Sequence, residues 1–241
     1  MKDARSKISK TEFCLLSCFL HLLNLKKQKQ MKTAYIVKAY RTAVGKAPKG
    51  VFRFKRPDEL AAETIQFMMN ELPDFDKKRI DDVMVGNAMP EAEQGLNVGR
   101  LISLMGLKVE DVPGVTVNRY CASGLETIGM ATAKIQSGMA DCIIAGGAES
   151  MSYIPMGGYK PTPDYKVAAA GHEDYYWGMG LTAEAVAKQY NVSRADQDEF
   201  AYNSHMKALK AQAEGKFDKQ IVPITVEQTF INENGKKETK S

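Results

Sequence analysis

The sequence predicts a layered α/β fold, because short apolar and β-branched runs alternate along the chain with longer runs of helical periodicity. With 241 residues, 44% of them hydrophobic and 26% charged, the chain has the composition of a globular protein. This length suits one large domain or two small ones. Strands that alternate with helices are typical of a sheet whose strands are joined by right-handed crossovers.

Each predicted strand is a run of β-branched and apolar residues bounded by Gly, Pro or Asn. The four predicted strands are residues 34–37, 82–85, 115–118 and 142–145. Between them, apolar residues recur at three- and four-residue steps, which predicts helices at residues 59–70, 96–105 and 122–137. In the last of these helices, one face carries Leu125, Ile128, Thr132 and Ile135.

The composition changes after Gly146-Gly147, which suggests a boundary between a first α/β domain at residues 31–150 and a second region at 151–241. Residues 151–180 are rich in Gly, Pro, Tyr and Met, and an amphipathic stretch follows at 182–190. Ser193, with Asp196 three residues later, resembles a helix N-cap and predicts a helix from 193 to about 214. We expect this second region to be an insertion packed on the first domain.

Residues 1–30 differ from the rest of the chain in charge. They contain seven Lys and Arg against two acidic residues, so they contribute +5 to the formal net charge of +4. The remainder is nearly neutral and lacks a basic stripe with interleaved aromatics, which argues against a nucleic-acid partner. The apolar run at 13–23 is too short to span a membrane, and no small-x-small cleavage site follows it. We expect residues 1–30 to be an extension outside the fold, with Met31 as the natural start.

The cysteines do not form a metal or disulfide pattern. Cys14, Cys18, Cys121 and Cys142 lack CxxC spacing, and the chain has only three histidines. Neither a zinc site nor a disulfide framework is therefore predicted. Free thiols in a domain of this size indicate a reducing compartment, so we expect a cytoplasmic protein without a membrane partner.

Cys121 lies between a predicted strand and a predicted helix, where it is followed by Ala122, Ser123 and Gly124. Unpaired amides and the positive dipole end at a helix N-terminus favour a thiolate and can stabilise an oxyanion. The small residues leave room for a thioester carbonyl to approach the sulfur. The competing interpretation is buried packing, which is the commoner role of an unpaired intracellular cysteine. For Cys142, among strand-forming residues, packing is the expected role.

The extended pattern around Cys121 resembles the acyl-accepting cysteine motif of thiolases. The resemblance covers nearly everything from Met31 onward. Its ordered matches are Tyr40-Arg41-Thr42, Val85-Gly86-Asn87, residues 91–100 (EAEQGLNVGR), residues 117–128 (VNRYCASGLETI), residues 145–152 (AGGAESMS) and residues 178–184 (GMGLTAE).

The resemblance implies an acyl-CoA acyltransferase of fatty acid metabolism, with Cys121 as acyl acceptor and its amide in an oxyanion hole. It implies that Met179 lines the acyl pocket and that residues 151–241 are part of a substrate- and coenzyme A-binding loop domain. The fold would be one layered α-β-α half of a thiolase, with the loop domain as a partial insertion. Acyl-CoA and coenzyme A would be substrates, with no cofactor or metal, and the full-length protein would form a homodimer or homotetramer.

The resemblance also implies catalytic groups that this chain does not contain. The family uses a histidine in a Gly-His-Pro motif, a second cysteine in a Cys-x-Gly motif and an Asn-Glu-Ala-Phe segment, none of which is present. His21, His172 and His205 are better explained as structural or solvated residues. We therefore expect a truncated, inactive chain. Two alternatives stay open: a decarboxylating ketoacyl synthase, and a non-catalytic acyl-CoA-binding protein or gene remnant.

Overall fold

The structure is a computed structural model that describes residues 31–231 and 233–240. The predicted extension at residues 1–30, with Cys14, Cys18 and His21, lies outside the described residues. The described part has the mixed α/β content expected from the sequence, with a parallel sheet at its centre.

Three parallel strands, β1 (Asp82–Gly86), β2 (Gly114–Val117) and β3 (Ile143–Gly147), form the central sheet in the order β2-β1-β3. Both neighbours align with the middle of β1, since Met84 lies beside Val115 in β2 and Ala145 in β3. Every residue of β1 is buried, as expected for a central parallel strand covered on both faces.

Helices α2 (Val98–Leu107) and α3 (Ser123–Ser137) connect the strands and cover opposite faces of the sheet. The chain moves from β1 to β2 through α2, then returns past β1 to β3 through α3. Connections between parallel strands are right-handed as a rule, and under that rule the reversal of direction places the two helices on opposite faces. The helices of this domain are α1 Pro57–Asn70, α2 Val98–Leu107 and α3 Ser123–Ser137.

The main hydrophobic core lies between β1 and the pair α1–α2, which pack against each other. Val83 and Val85 project into this core, whereas alternation along the strand directs Met84 to the face of α3. Cys142 packs against the edge of the core, as the sequence predicted. The buried members of the core cluster are Ile65, Met69, Ile80, Val83, Val85, Val98, Ile102, Leu107 and Val112.

Helix α3 faces the sheet with small and polar residues instead of its apolar stripe. Ser123, Thr127 and Ala131 are its buried residues, and Thr127 donates a hydrogen bond to the Gly146 carbonyl at 2.9 Å. The predicted apolar face points elsewhere, because Leu125 is 73% exposed. Helical periodicity therefore identified the helix but not the face that it buries here.

Glycines allow the first turn of α3 to lie directly on the ends of the strands. A Cβ at Gly86 would overlap the Ser123 carbonyl group and lie 2.5 Å from the Gly124 nitrogen. A Cβ at Gly147 would lie 3.4 Å from Gly124 Cα. The backbone of α3 thus takes the space that side chains would occupy at the carboxyl ends of β1 and β3.

The predicted strand at residues 34–37 is wrong, since this segment has no regular secondary structure. Tyr35, Ile36 and Val37 are each more than 75% exposed. Their β-propensity describes residues that suit a half-buried pleated surface, and such residues form a strand only where another strand offers a hydrogen-bonding edge. The other three predicted strands and the three helices are confirmed, with ends shifted by up to two residues.

The region after residue 150 is built of helices that bury almost nothing. The Ser193 capping box is confirmed, because Ser193 and Asp196 bond each other's backbone nitrogens. The expectation that this region packs on the first domain is wrong for these helices, because none of their residues is buried. The elements are α4 Tyr165–Ala169, α5 Met179–Tyr190, α6 Arg194–Ala213, and an unpredicted antiparallel pair, β4 Gln228–Ile231 and β5 Lys237–Lys240. Single 3₁₀ turns occur at Lys77–Arg79, Ala92–Gln94 and Glu173–Tyr176.

Arg41 joins the chain after α6 to the first domain. Its backbone nitrogen donates to the Gln220 carbonyl at 2.9 Å, and its carbonyl accepts from the Val222 nitrogen at 2.8 Å. Its guanidinium lies over the Phe217 ring, 5.3 Å from the ring centre. Val222 is 3% exposed. The second region is therefore attached to the first domain at this clasp, although its helices are not packed there.

The close contact at Gly86 predicts that Gly86→Ala destabilises the chain by about 1–3 kcal/mol, the usual cost of forcing extra atoms into a packed site. The matched control is Gly129→Ala in α3, where an added Cβ meets nothing within 4 Å. That change should stabilise the helix by about 0.5–1 kcal/mol. Urea unfolding followed by far-UV circular dichroism measures both. Equal urea midpoints for the two variants would show that the close contact at Gly86 does not affect the free energy of unfolding.

Asp81 predicts a pH-dependent contribution at the start of β3. Its carboxylate accepts from the backbone nitrogens of Asp141, at 2.7 Å, and Cys142, at 3.0 Å, and these bonds lower the pKa of Asp81. A carboxylate with a lowered pKa in the folded state stabilises above its unfolded pKa of about 3.9 and loses that contribution as pH falls through the folded pKa. Asp81→Asn should therefore lower the urea midpoint more at pH 7 than at pH 3. Asp74→Asn, at an exposed aspartate, is the control and should leave the midpoint nearly unchanged at pH 7. A loss for Asp81→Asn that is equal at both pH values would contradict the assignment.

Candidate active site

The carboxyl ends of the three parallel strands meet at one edge of the sheet, where α/β proteins commonly bind ligands. Asn87 follows β1, Asn118 follows β2 and Ala148 follows β3. Cys121 lies in the turn between β2 and α3, four residues after the end of β2. Helix α3 begins at Ser123 with Ala122 as its N-cap, so Cys121 lies just before the first turn.

Short hydrogen bonds hold the turn on both sides of Cys121. The Tyr120 nitrogen donates to Asn118 Oδ1 at 2.8 Å, and Tyr120 has a left-handed backbone, with φ of 47°. The Ser123 hydroxyl accepts from the Arg119 nitrogen at 2.8 Å and donates to the Tyr120 carbonyl at 2.6 Å. Ser123 is 3% exposed. A buried serine in the helix thus fixes the residues that precede the cysteine.

Cys121 is a free, exposed thiol. The neighbouring Tyr120 side chain is also exposed, so it does not belong to a core that buries the sulfur. Arg119 forms a two-pronged ion pair with Glu126, with nitrogen–oxygen distances of 2.9 and 3.0 Å, so its positive charge is already paired. The arrangement can present the Cys121 thiol to a substrate from solvent.

Cys142 provides a chemical contrast within the same chain. It is half-buried, and burial raises the pKa of its thiol, with a smaller contribution from the negative charge of Asp81. Nucleophilic reactivity requires the thiolate, so a raised pKa makes a cysteine less reactive at neutral pH. Of the two cysteines that the structure describes, Cys121 is the better nucleophile by exposure.

A polar cluster lies behind this edge of the sheet, formed by Asn87, Gln94 and Glu149. The Glu149 carboxylate accepts from the Ala88 nitrogen and from Gln94 Nε2, both at 2.6 Å, and from Asn87 Nδ2 at 3.4 Å. Gln94 Oε1 in turn accepts from the Ser150 nitrogen at 2.5 Å. Gln94 and Asn87 are essentially inaccessible to solvent, and Asn87 Oδ1 is the one buried side-chain polar atom without a partner among the described residues.

These cluster residues lie within the motifs that carry the family resemblance, but the sequence alone did not indicate a role for them. Two signals were available, since Asn87 and Glu149 each follow a predicted strand, and buried polar residues there must find partners. Which partners they find depends on the order of the strands in the sheet, which the sequence did not specify.

A cavity of about 200 Å³ lies beside the same cluster, between the loop at residues 42–53 and the segment after β3. Glu149 reaches both the cavity and the cluster. Cys121 and Met179 do not line the cavity. Its lining residues are Thr42 to Ala47, Phe52, Arg53, Leu60 and Glu149 to Ser152.

Met179, the other predicted site residue, and the two described histidines all have exposed side chains. Met179 is the first residue of α5 and is 61% exposed. His172 stacks on Tyr175 with ring centres 4.7 Å apart, and His205 is exposed within α6. In the described ranges, neither histidine forms a hydrogen bond with Cys121, which leaves the thiol without a general base from these side chains.

The described part of the chain lacks a metal-binding cluster and a membrane-spanning helix. At residues 31–231 and 233–240, His, Cys, Asp and Glu side chains do not gather in a group of three or more that could hold a metal ion. None of the helices in these ranges has the length and apolar character needed to cross a membrane.

Comparison with known proteins gives a consistent match. The sequence profile described as "Thiolase, N-terminal domain" matches residues 34–240. The 3-ketoacyl-CoA thiolase of Bacillus subtilis (strain 168) is 50% identical over 206 residues, which cover 86% of this chain and 52% of that protein. The beta-ketoadipyl-CoA thiolase of Acinetobacter baylyi is 41% identical over 214 residues, with 82% and 53% covered.

A solved structure agrees with these relatives. The crystal structure of the Bacillus anthracis acetyl-CoA acetyltransferase superposes with a TM-score of 0.66 at 30% identity, covering 87% of this chain and 54% of that chain. The chain spans about half the length of the curated relatives that it matches. The fold class predicted from the sequence is confirmed, and the chain belongs to the thiolase family through its N-terminal domain.

Proposed function

We propose that this chain contributes the acyl-accepting half of an acyl-CoA acyltransferase, with Cys121 as the nucleophile. The observation that carries the proposal is the position of Cys121, an exposed free thiol fixed between β2 and the first turn of α3. The relatives named as 3-ketoacyl-CoA and beta-ketoadipyl-CoA thiolases support 3-ketoacyl-CoA thioesters as the substrate class.

The proposed reaction is ping-pong covalent catalysis. The Cys121 thiolate attacks the ketone carbon of a 3-ketoacyl-CoA, and the bond between C2 and C3 breaks. The departing carbanion takes up a proton and leaves as acetyl-CoA, while the remaining acyl group stays on Cys121 as a thioester. The sulfur of coenzyme A, having given up its proton, then attacks this thioester and releases the Cys121 thiolate. The reverse sequence condenses two acyl-CoA molecules.

The described residues contribute a nucleophile and its support to this reaction. Ala122 and Gly124 keep the space before α3 free of bulk, and the amides at the start of α3 favour negative charge on a carbonyl oxygen of the substrate. The proton transfers need a base and an acid, which the resemblance assigns to a histidine and a second cysteine outside this sequence. Met179 is proposed for the acyl pocket on resemblance alone.

The remaining parts of the proposal concern the whole protein. Coenzyme A acts as a substrate, so no cofactor or metal is invoked, and the setting is fatty acid metabolism in the cytoplasm. The exposed apolar stripe of α3, with Leu125 and Ile128, supports burial of this face against further protein. In the family, that role falls to a second, similar α/β half, and the complete protein would form a homodimer or homotetramer.

A non-catalytic acyl-CoA-binding protein or gene remnant is the second candidate, favoured by the lack of a base at Cys121 in the described ranges. A decarboxylating ketoacyl synthase is the rival enzyme, and activity on malonyl thioesters would distinguish it from a thiolase. An acyl group found on Cys121 would support the acyltransferase over the non-catalytic candidate.

The nucleophile assignment predicts where an acyl group is transferred. After incubation of the full chain with acetyl-CoA, peptide mass spectrometry should find the acetyl group on Cys121. Cys121→Ser should abolish this label, whereas Cys142→Ser, the matched control, should leave it unchanged, since burial raises the pKa of Cys142. An acetyl label that survives Cys121→Ser, or one that Cys142→Ser abolishes, would refute the assignment.

The lack of a base predicts that the 241-residue chain alone turns over poorly. General acid–base assistance contributes about 10²- to 10⁴-fold to rate, so the chain should cleave acetoacetyl-CoA at least about 100-fold more slowly than an intact thiolase. The Bacillus subtilis 3-ketoacyl-CoA thiolase, assayed in parallel by loss of enolate absorbance, is the reference. Comparable turnover would mean that a histidine of this chain serves as base, and His172→Gln and His205→Gln would identify it.

A further inference from the structure

Tyr120, directly before Cys121, has a backbone conformation that its own side chain does not explain. Its φ of 47° lies in the left-handed region, which is unfavourable for a bulky residue. Its ring is 70% exposed, so packing does not compensate. Such a conformation persists only where the surroundings hold it in place. Two hydrogen bonds do so: the Tyr120 nitrogen donates to Asn118 Oδ1, and the Tyr120 carbonyl accepts from the Ser123 hydroxyl.

The Asn118 side chain forms hydrogen bonds with two different loops. Its Oδ1 accepts from the Tyr120 nitrogen at 2.8 Å, and its Nδ2 donates to the Ala88 carbonyl at 3.1 Å. The Ala88 nitrogen donates to Glu149 at 2.6 Å. A continuous series of contacts therefore crosses the edge of the sheet, from the cysteine turn after β2, through the loop after β1, to Glu149 after β3.

The burial pattern separates this role from ordinary core structure. Asn118 is exposed, so water can satisfy the groups it leaves if its side chain is removed. The far end of the series is rigid, because Glu149 is bonded to Gln94, which is fully buried. An exposed side chain that links a strained turn to a rigid cluster contributes more to the position of that turn than to the stability of the fold.

We propose that Asn118 is the positioning residue for Cys121. By tying the Tyr120 backbone to Ala88, it holds Tyr120 left-handed and fixes the turn that carries Cys121 just before the first turn of α3. The inference rests on the proposed function only for the use made of Cys121 as acyl acceptor. The positioning itself is a property of the chain and can be measured without acyl-CoA.

The test measures the alkylation rate of Cys121 by iodoacetamide at pH 7 in the full chain, with Cys142 as an internal reference. If Asn118→Ala releases Cys121 from the helix terminus, its rate should fall about two- to fivefold, the size of a helix-terminus effect on a charged group. Asn118→Ser can still accept from the Tyr120 nitrogen but is too short to reach Ala88, so it should be slow as well.

The matched control is Asn97→Ala. Asn97 also makes two side-chain hydrogen bonds, to the Gly114 carbonyl at 2.8 Å and from the Thr116 hydroxyl at 2.9 Å, but away from the cysteine turn. Asn97→Ala should therefore leave the alkylation rate of Cys121 unchanged. Urea midpoints of all variants report stability separately.

The outcomes distinguish the possibilities. Slow alkylation in both Asn118 variants, a normal rate in Asn97→Ala and similar midpoints would support the positioning role. Slowing in proportion to lost stability in all variants would overturn it, because Asn118 would then be merely structural. Wild-type rates in Asn118→Ala would also overturn it, and wild-type rates in Asn118→Ser would show that the contact with Ala88 is not needed. If acetyl-CoA labels a residue other than Cys121, the acyltransferase proposal fails, but the alkylation result still decides the role of Asn118.

Discussion

The close approach of α3 to the end of β1 is the constraint on which the candidate site depends. Gly86 has no side chain, so the first turn of the helix lies directly on the strand, against the Ser123–Gly124 backbone. Any larger residue would push the helix outward, and the turn that carries Cys121 would move with it. The position of the nucleophile is therefore fixed by backbone packing, before any side chain of the turn contributes.

Polar contacts then refine what the backbone packing permits. Ser123 is buried where an apolar residue would be expected, and it bonds the two residues before Cys121. Glu149 accepts hydrogen bonds at the end of β3, and the Asn118 side chain connects the loops after β1 and β2. A parallel sheet brings all three strand ends to one edge, so residues that are far apart in sequence can support one turn.

Much of the fold could be predicted from the sequence, because long buried elements carry a strong periodic signal. The strand at Asp82–Gly86 and the helix at Ser123–Ser137 were identified from local pattern alone. The failures share a cause in contacts that pattern does not encode. Residues 34–37 have strand-forming composition without a strand beside them, and the apolar face of α3, with Leu125, is exposed while Thr127 is buried. Of the helices after residue 150, α5 and α6 correspond to predicted segments and α4 does not, and the lack of burial of all three was not predicted.

The sequence by itself determined the alternation of strands and helices, the family resemblance and Cys121 as the candidate nucleophile, because these depend on residues adjacent along the chain. The tertiary structure decided which of those residues meet. It placed Asn118 between Tyr120 and Ala88, joined Glu149 to Gln94, and left His172 and His205 without a bond to the described thiol. These side-chain contacts result from the strand order β2-β1-β3 and from the close contact between Gly86 and the first turn of α3. Both arise from the packing of segments distant in sequence, which local periodicity cannot specify.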